Sequence, residues 1–264
     1  MHPHLRSAGL LFTLFLWSTA LRAESFIMEP LSDDDSLEPF IIGGAPADPR
    51  KWPETFVFNF PGGKCTSIIV GLRAVLTAAH SLSGNMTGSI VLNGQPIALT
   101  CTLNPKYVAP KPVADIALCH STGRGDLKAP DLKYEVLNTD ANAISNNDQI
   151  ILLGYGCRDK DGEGGVLAVG SASITATPSS GLVYETTGGA AGCKGDSGRA
   201  GYRIIDANKR SVFAVLSSGD QQKVTTLASV TYKDNIDFLR DWRSSSGAKI
   251  CDLRSEERRV GKEC

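Results

Sequence analysis

Histidine is scarce in this chain. His2 and His4 stand at its start, and only His80 and His120 follow. No Cys-x-x-Cys pair and no clustered Cys/His spacing is present, so nothing in the sequence suggests a metal site. Charge of one sign is also missing. The formal net charge is −1 over the whole chain and weakly positive over 41–253, which gives no electrostatic footprint for nucleic acid or an anionic membrane. After Trp17 no apolar run approaches the roughly 20 residues a spanning helix needs, and no solenoid repeat is present. Acidic residues are absent altogether from Ser81 to Ala114. A calcium site in the segment after His80 is therefore not expected, since hard cations need carboxylate oxygens.

The chain divides by composition. Residues 1–23 carry Arg6, an apolar run from Ala8 to Trp17, and a small residue, Ala23, at a plausible cut. That order reads as a secretory signal peptide. Residues 24–40 hold six acidic side chains, no basic one and two prolines, and they read as an extended, accessible acidic propeptide. Residues 254–264, Arg-Ser-Glu-Glu-Arg-Arg-Val-Gly-Lys-Glu-Cys, show no apolar period and resemble the in-frame translation of a sequencing adapter. They are set aside as an artefact. What remains, 41–253, suits one compact unit or two small subdomains. Its six cysteines (Cys65, Cys101, Cys119, Cys157, Cys193 and Cys251) behind a signal peptide indicate disulfides in a secreted, soluble protein. Asn85-Met86-Thr87 is a glycosylation sequon.

Within 41–253 the pattern is of short strands separated by turn residues. Thr55–Asn59, Ser67–Val70, Ser89–Leu92, Ile150–Leu153, Ser171–Ala176, Arg203–Ile205 and Val212–Leu216 alternate with Gly, Pro, Asn and Asp clusters. Many short strands with frequent turn signals predict an all-β sandwich or barrel. One helix is predicted over about 233–243, capped by Asp234, with Ile236, Leu239 and Trp242 on its docking face. Ser121–Lys133 reads as a linker between barrel-sized halves of about 41–130 and 131–253.

Three local contexts carry chemistry. His80 ends the apolar run Val75-Leu76-Thr77-Ala78-Ala79, where packing can fix an imidazole whose tip stays open. Asp115 stands in Val113-Ala114-Asp115-Ile116-Ala117-Leu118, and a carboxylate inside an apolar run needs a partner. Ser197 lies in Gly192-Cys193-Lys194-Gly195-Asp196-Ser197-Gly198, whose glycines let a backbone turn tightly and approach a substrate carbonyl.

Taken together and in this order, Ala-Ala-His, Asp-Ile-Ala-Leu and Gly-Asp-Ser-Gly resemble the chymotrypsin/trypsin family of serine proteases, whose triad chemistry is well understood. Ile41-Ile42-Gly43-Gly44, Gly154-Tyr155-Gly156 and Leu216-Ser217-Ser218-Gly219 extend the resemblance over about 41–243. It implies two six-stranded antiparallel β-barrels and a C-terminal helix, with the active site in the cleft between the barrels. It implies His80, Asp115 and Ser197 as the triad and the N–H groups of Gly195 and Ser197 as an oxyanion hole. Ala191, Ser217 and Gly219 would contact substrate. The absence of an acid at Ala191, six residues before the nucleophile, predicts a preference for small or medium apolar side chains. An inward-turned Asp220 would change that preference, and Thr225 would narrow the pocket. The resemblance further implies cleavage between Phe40 and Ile41, after which the Ile41 ammonium pairs with Asp196. No cofactor is expected. The expected partners of this monomeric enzyme are protein or peptide substrates and protein inhibitors, with no nucleic acid and no membrane. Pairing of Cys157 with Cys193, and of Cys101 with Cys119, is suggested, leaving Cys65 and Cys251 without an assigned partner.

Where the family continues Gly-Gly-Pro after the nucleophile, this chain has Gly198-Arg199-Ala200. Arg199 supports an alternative reading, a weak or inactive protease homologue acting as a protein-binding module. A lipase or esterase is disfavoured. It would require Gly-x-Ser-x-Gly and the order Ser, Asp, His, whereas residue 199 is Arg and the order here is His, Asp, Ser.

Overall fold

A computed structural model describes residues 42–82, 86–123, 125–157, 164–177, 182–207, 209–251 and 253. The signal peptide, the acidic segment, Ile41, Asn85 of the sequon and the 254–264 tail lie outside the described residues.

The described residues form thirteen strands, most of them rich in β-branched and aromatic residues. β1 (Ala45–Pro46) precedes the first barrel, which is built from β2 (Thr55–Phe60), β3 (Gly63–Gly71), β4 (Ala74–Thr77), β5 (Thr87–Leu92), β6 (Gln95–Leu103) and β7 (Ala117–Ser121). These close in the order β2-β3-β4-β7-β6-β5. The second barrel uses β8 (Gln149–Gly154), β9 (Ala168–Ala176), β10 (Val183–Gly189), β11 (Ala200–Asp206), β12 (Lys209–Gly219) and β13 (Thr225–Ser229), closed by the pairing of β8 with β9. All pairings between these strands are antiparallel. Closure removes the free edges that an open sheet would expose.

Each barrel has its own filling. Phe58, Ile69, Val75, Ile90 and Leu99 fill the first, and Ile150, Leu152, Ile174, Tyr184 and Phe213 the second. A third cluster lies between them, with Ile68, Val70 and Leu76 on one side and Leu153, Val169 and Val215 on the other. Neighbouring residues of β3 and β4 thus point alternately into the barrel and into the interface. Both faces of these strands are dry, so Ile68–Val70 and Ala74–Leu76 read as unbroken apolar runs instead of alternating. Sealing these two faces holds the cleft between the barrels in shape.

The ends of the described chain cross over. β1 pairs with β9 of the second barrel, and Ile42 bridges Ala191. The first residues after position 41 therefore pack with the second barrel, not with the first as the proposed division at residue 130 assumes. Conversely, the Cys251 N–H donates to the Val70 carbonyl at 2.8 Å, and the Trp242 ring packs against His120 of β7. The helix α1 (Lys233–Ser246) has Tyr232 as its N-cap residue, with no side-chain capping bond. Asp234 is not the N-cap; it sits in the first turn and accepts from the Tyr232 hydroxyl at 3.2 Å. Asn235, Phe238, Leu239 and Trp242 form the buried face, with Ile236 at its margin.

Candidate active site

His80 opens a short 3-10 turn directly after β4, so the double-sided packing of that strand fixes the imidazole at the cleft. Asp115 lies just before β7, hydrogen-bonded neighbour of β4, and is buried. One carboxylate oxygen of Asp115 accepts from the His80 backbone N–H at 2.7 Å. The other lies 2.6 Å from His80 Nδ1 and accepts from the Ser217 hydroxyl at 2.5 Å. An ionised carboxylate can only accept, so Nδ1 carries the proton and Nε2 presents its lone pair. Nε2 lies 2.7 Å from Ser197 Oγ. One third of the His80 side chain remains exposed, facing the cleft.

The family resemblance implies that Ser217 contacts substrate. Its hydroxyl proves to be a third donor to Asp115, supplied from β12 of the opposite barrel. Sequence reasoning missed this role because Ser217 and Asp115 lie 102 positions apart.

The Ser197 loop is shaped by close backbone approaches. Gly198 has φ +84°, and a Cβ there would lie 2.2 Å from Thr77 Oγ1 and 2.3 Å from the Thr66 carbonyl. No other residue fits without displacing β3 or β4. Across this contact the Thr66 N–H donates to the Ser197 carbonyl at 3.0 Å, and the Thr66 hydroxyl to the Gly195 carbonyl at 3.0 Å. Thr66 also accepts from the Tyr155 N–H, tying three segments together. Gly195 has φ +90°, and among the described residues its N–H and that of Ser197 have no acceptor. The disulfide Cys157–Cys193 joins this loop to the segment after β8. Cys101 and Cys119 face each other on β6 and β7 and are also joined. Cys65 is a buried free thiol, whose proton burial holds more tightly than usual.

The residues expected to line the specificity pocket pack closely together. Ala191 and Thr225 have no exposed surface. Thr225 Oγ1 accepts from the Gly192 N–H at 2.8 Å, and a Cβ on Gly192 would lie 2.5 Å from Leu216 Cδ1. Gly219 is exposed at the rim. Asp220 turns outward, where its carboxylate accepts the N–H groups of Gln222, Lys223 and Val224, all at 2.8 Å. Those amides hold its carboxyl below the usual range. A cavity of about 360 Å³ opens beside Gly195, lined in part by Val57, Lys64, Tyr155 and Lys194.

Asp196 is fully buried. It accepts the Gly156 N–H at 2.8 Å and the Cys193 N–H at 3.0 Å. Its charge partner is Arg199, whose Nη1 lies 3.0 Å from Asp196 Oδ2, with both side chains without exposed surface. Burial pushes the Asp196 carboxyl up and the Arg199 guanidinium down, and each charge counters the shift of the other. The expected cation, Ile41, lies outside the described residues. Arg199 was anticipated as an oddity of the motif, not as the partner of Asp196.

No curated protein matches the chain. A family model, Trypsin, matches residues 41–234, the span that contains both barrels, the His80–Asp115–Ser197 row and the start of α1. Closed six-stranded barrels, the order of the motifs and that match agree, and the chain belongs to the trypsin family.

Proposed function

We propose that this protein is a secreted serine endopeptidase with His80, Asp115 and Ser197 as its catalytic triad. The observation that carries the reading is the unbroken row from the Asp115 carboxylate through both ring nitrogens of His80 to Ser197 Oγ, at 2.6 and 2.7 Å. Ser197 Oγ attacks the scissile carbonyl as its proton passes to His80 Nε2. Asp115, held by the Ser217 hydroxyl, keeps the ring in the required tautomer and stabilises the imidazolium. The oxyanion is received by the N–H groups of Gly195 and Ser197, each worth about 10²–10³ in kcat. His80 then gives its proton to the departing amine, and water, deprotonated by the same nitrogen, releases the acyl group.

The substrate would be a protein or peptide with a small apolar residue before the scissile bond. Thr225, Leu216 and Ala191 leave little room for a larger one, and Asp220 offers no counter-charge to Arg or Lys. Residues 1–23 would direct secretion and 24–40 would be a removable propeptide. The disulfides Cys101–Cys119 and Cys157–Cys193 suit an oxidising compartment. Fluorophosphonate labelling tests the reading: Ser197 should be modified in wild type and nothing in Ser197→Ala. A wild-type protein that resists labelling while holding its fold would favour the non-enzymatic, protein-binding alternative. Hydrolysis profiles of a peptide library should peak at Ala and Val, and a preference for Arg or Lys would refute the specificity.

A further inference from the structure

A carboxylate buried beside a nucleophile needs a cation, and the source of that cation decides when the loop around it can form. In this chain the cation comes from three residues away. The backbone carbonyl of Arg199 accepts from the Leu216 N–H at 2.9 Å, which anchors it to β12, while its side chain runs back to Asp196. Room for it is made by glycines from separate segments. A Cβ on Gly154 would lie 3.0 Å from Arg199 Cδ, and one on Gly192 would lie 3.3 Å from Nη2. A Cβ on Gly156 would lie 2.2 Å from the Asp196 carboxyl carbon. Among the described residues Asp196 is the charged group that acts on Arg199, an ion pair at 3.0 Å, and none of the three guanidinium nitrogens has an aligned acceptor. The pair is therefore neutral and closed. A second cation brought to it would be buried without an anion of its own, a costly arrangement.

We infer that Arg199 is a positioning residue, supplying from within the Ser197 loop the counter-charge that holds Gly195 and Ser197 in place, so that the site forms without a free ammonium at Ile41. The inference rests on the peptidase reading above. It makes removal of residues 24–40 a trimming step and not the switch that turns the site on.

The test uses the secreted chain with residues 24–40 still attached, labelled with a fluorophosphonate and read by intact-mass spectrometry. The labelled species should retain 24–40 and react within threefold of the rate of trimmed chain. If only trimmed chain is labelled, the inference falls and the peptidase reading stands. If neither form is labelled, the peptidase reading falls and takes the inference with it. Two variants of trimmed chain give an independent readout. Arg199→Met should lower kcat far more than it raises KM, and Arg199→Lys should restore most of kcat. A guanidinium stays charged to high pH, whereas a buried lysine does not. The lysine variant should therefore acquire an alkaline fall in kcat that wild type lacks over the pH range where the far-UV circular dichroism is constant. Should Arg199→Met prove too unstable to isolate, the Asp196→Asn/Arg199→Met pair removes both charges, and the lysine pH profile alone still decides. A trimmed Arg199→Met enzyme with wild-type kcat, or a lysine variant with no alkaline fall, would overturn the inference.

Discussion

Arg210 and Arg199 both carry a guanidinium into the protein, and their surroundings differ in a way that separates stability from activity. Arg210, on β12, uses every nitrogen. Nε donates to Glu135 at 2.7 Å, Nη2 to Glu54 at 2.9 Å and Nη1 to the Lys51 carbonyl at 3.2 Å, while the plane stacks 3.9 Å over the Trp52 ring. About a quarter of the side chain still reaches solvent. It pins the segment entering the first barrel and the segment entering the second to one strand. Among the described residues Arg199 has one carboxylate and no aligned acceptor, its side chain reaches no solvent, and its partner neighbours Ser197. A saturated guanidinium at a barrel junction braces the assembly. A sequestered one with a single partner can only hold that partner.

Arg199→Met should have the largest effect on activity. It should lower kcat/KM by about 10²- to 10³-fold, the scale of losing an oxyanion donor, with peptide hydrolysis as the readout. Arg210→Met should do the reverse. It leaves two carboxylates facing each other and should cost about 3 kcal/mol in denaturant unfolding, while kcat/KM stays within threefold. Equal effects of the two substitutions on activity would erase the distinction.

A third effect follows from Glu54. Burial and the neighbouring Glu135 charge raise its pKa to about 7, well above its ordinary 4.5. Between those values the folded chain keeps a proton that the unfolded chain has lost, so stability falls as pH rises from about 4.5 to 7. Glu135 is shifted the same way by burial. Unfolding midpoints should thus be higher at pH 5 than at pH 8, and Glu54→Gln should flatten the difference. An unchanged slope in that variant would assign it to other groups. The smallest effect concerns Thr225. Replacing it with Gly removes the hydroxyl that bonds Gly192 and should shift preference toward larger apolar side chains by about tenfold, measured as the Leu-to-Ala ratio of kcat/KM.

How much of this was legible in the sequence depended on the range over which each feature is decided. His80, Asp115 and Ser197 announce themselves through the few residues around them. The seven strands read from turn punctuation all fall within observed strands, short only by their ends. The helix continues past Arg243 to Ser246 because Ser244 and Ser245 bond back to backbone carbonyls until Gly247, at φ +66°, ends it. An apolar period cannot show those bonds. The allegiance of β1 to the second barrel rests on two residues and carries no local pattern. The placement of Arg199 was illegible for the same reason. Its pocket is made in part by Gly154 and Gly192, and a glycine's vacancy is visible only once the segments that carry them meet.

In the proposed mechanism His80 withdraws the proton of Ser197, whose oxygen then becomes acylated. Rapid mixing of the protein with an activated ester tests it most directly. A burst of about one equivalent of leaving group per molecule should precede the slower steady state, be absent in Ser197→Ala and be slowed at least ~10³-fold in His80→Ala. A folded wild-type protein that releases no burst, or a burst that survives Ser197→Ala, would contradict it.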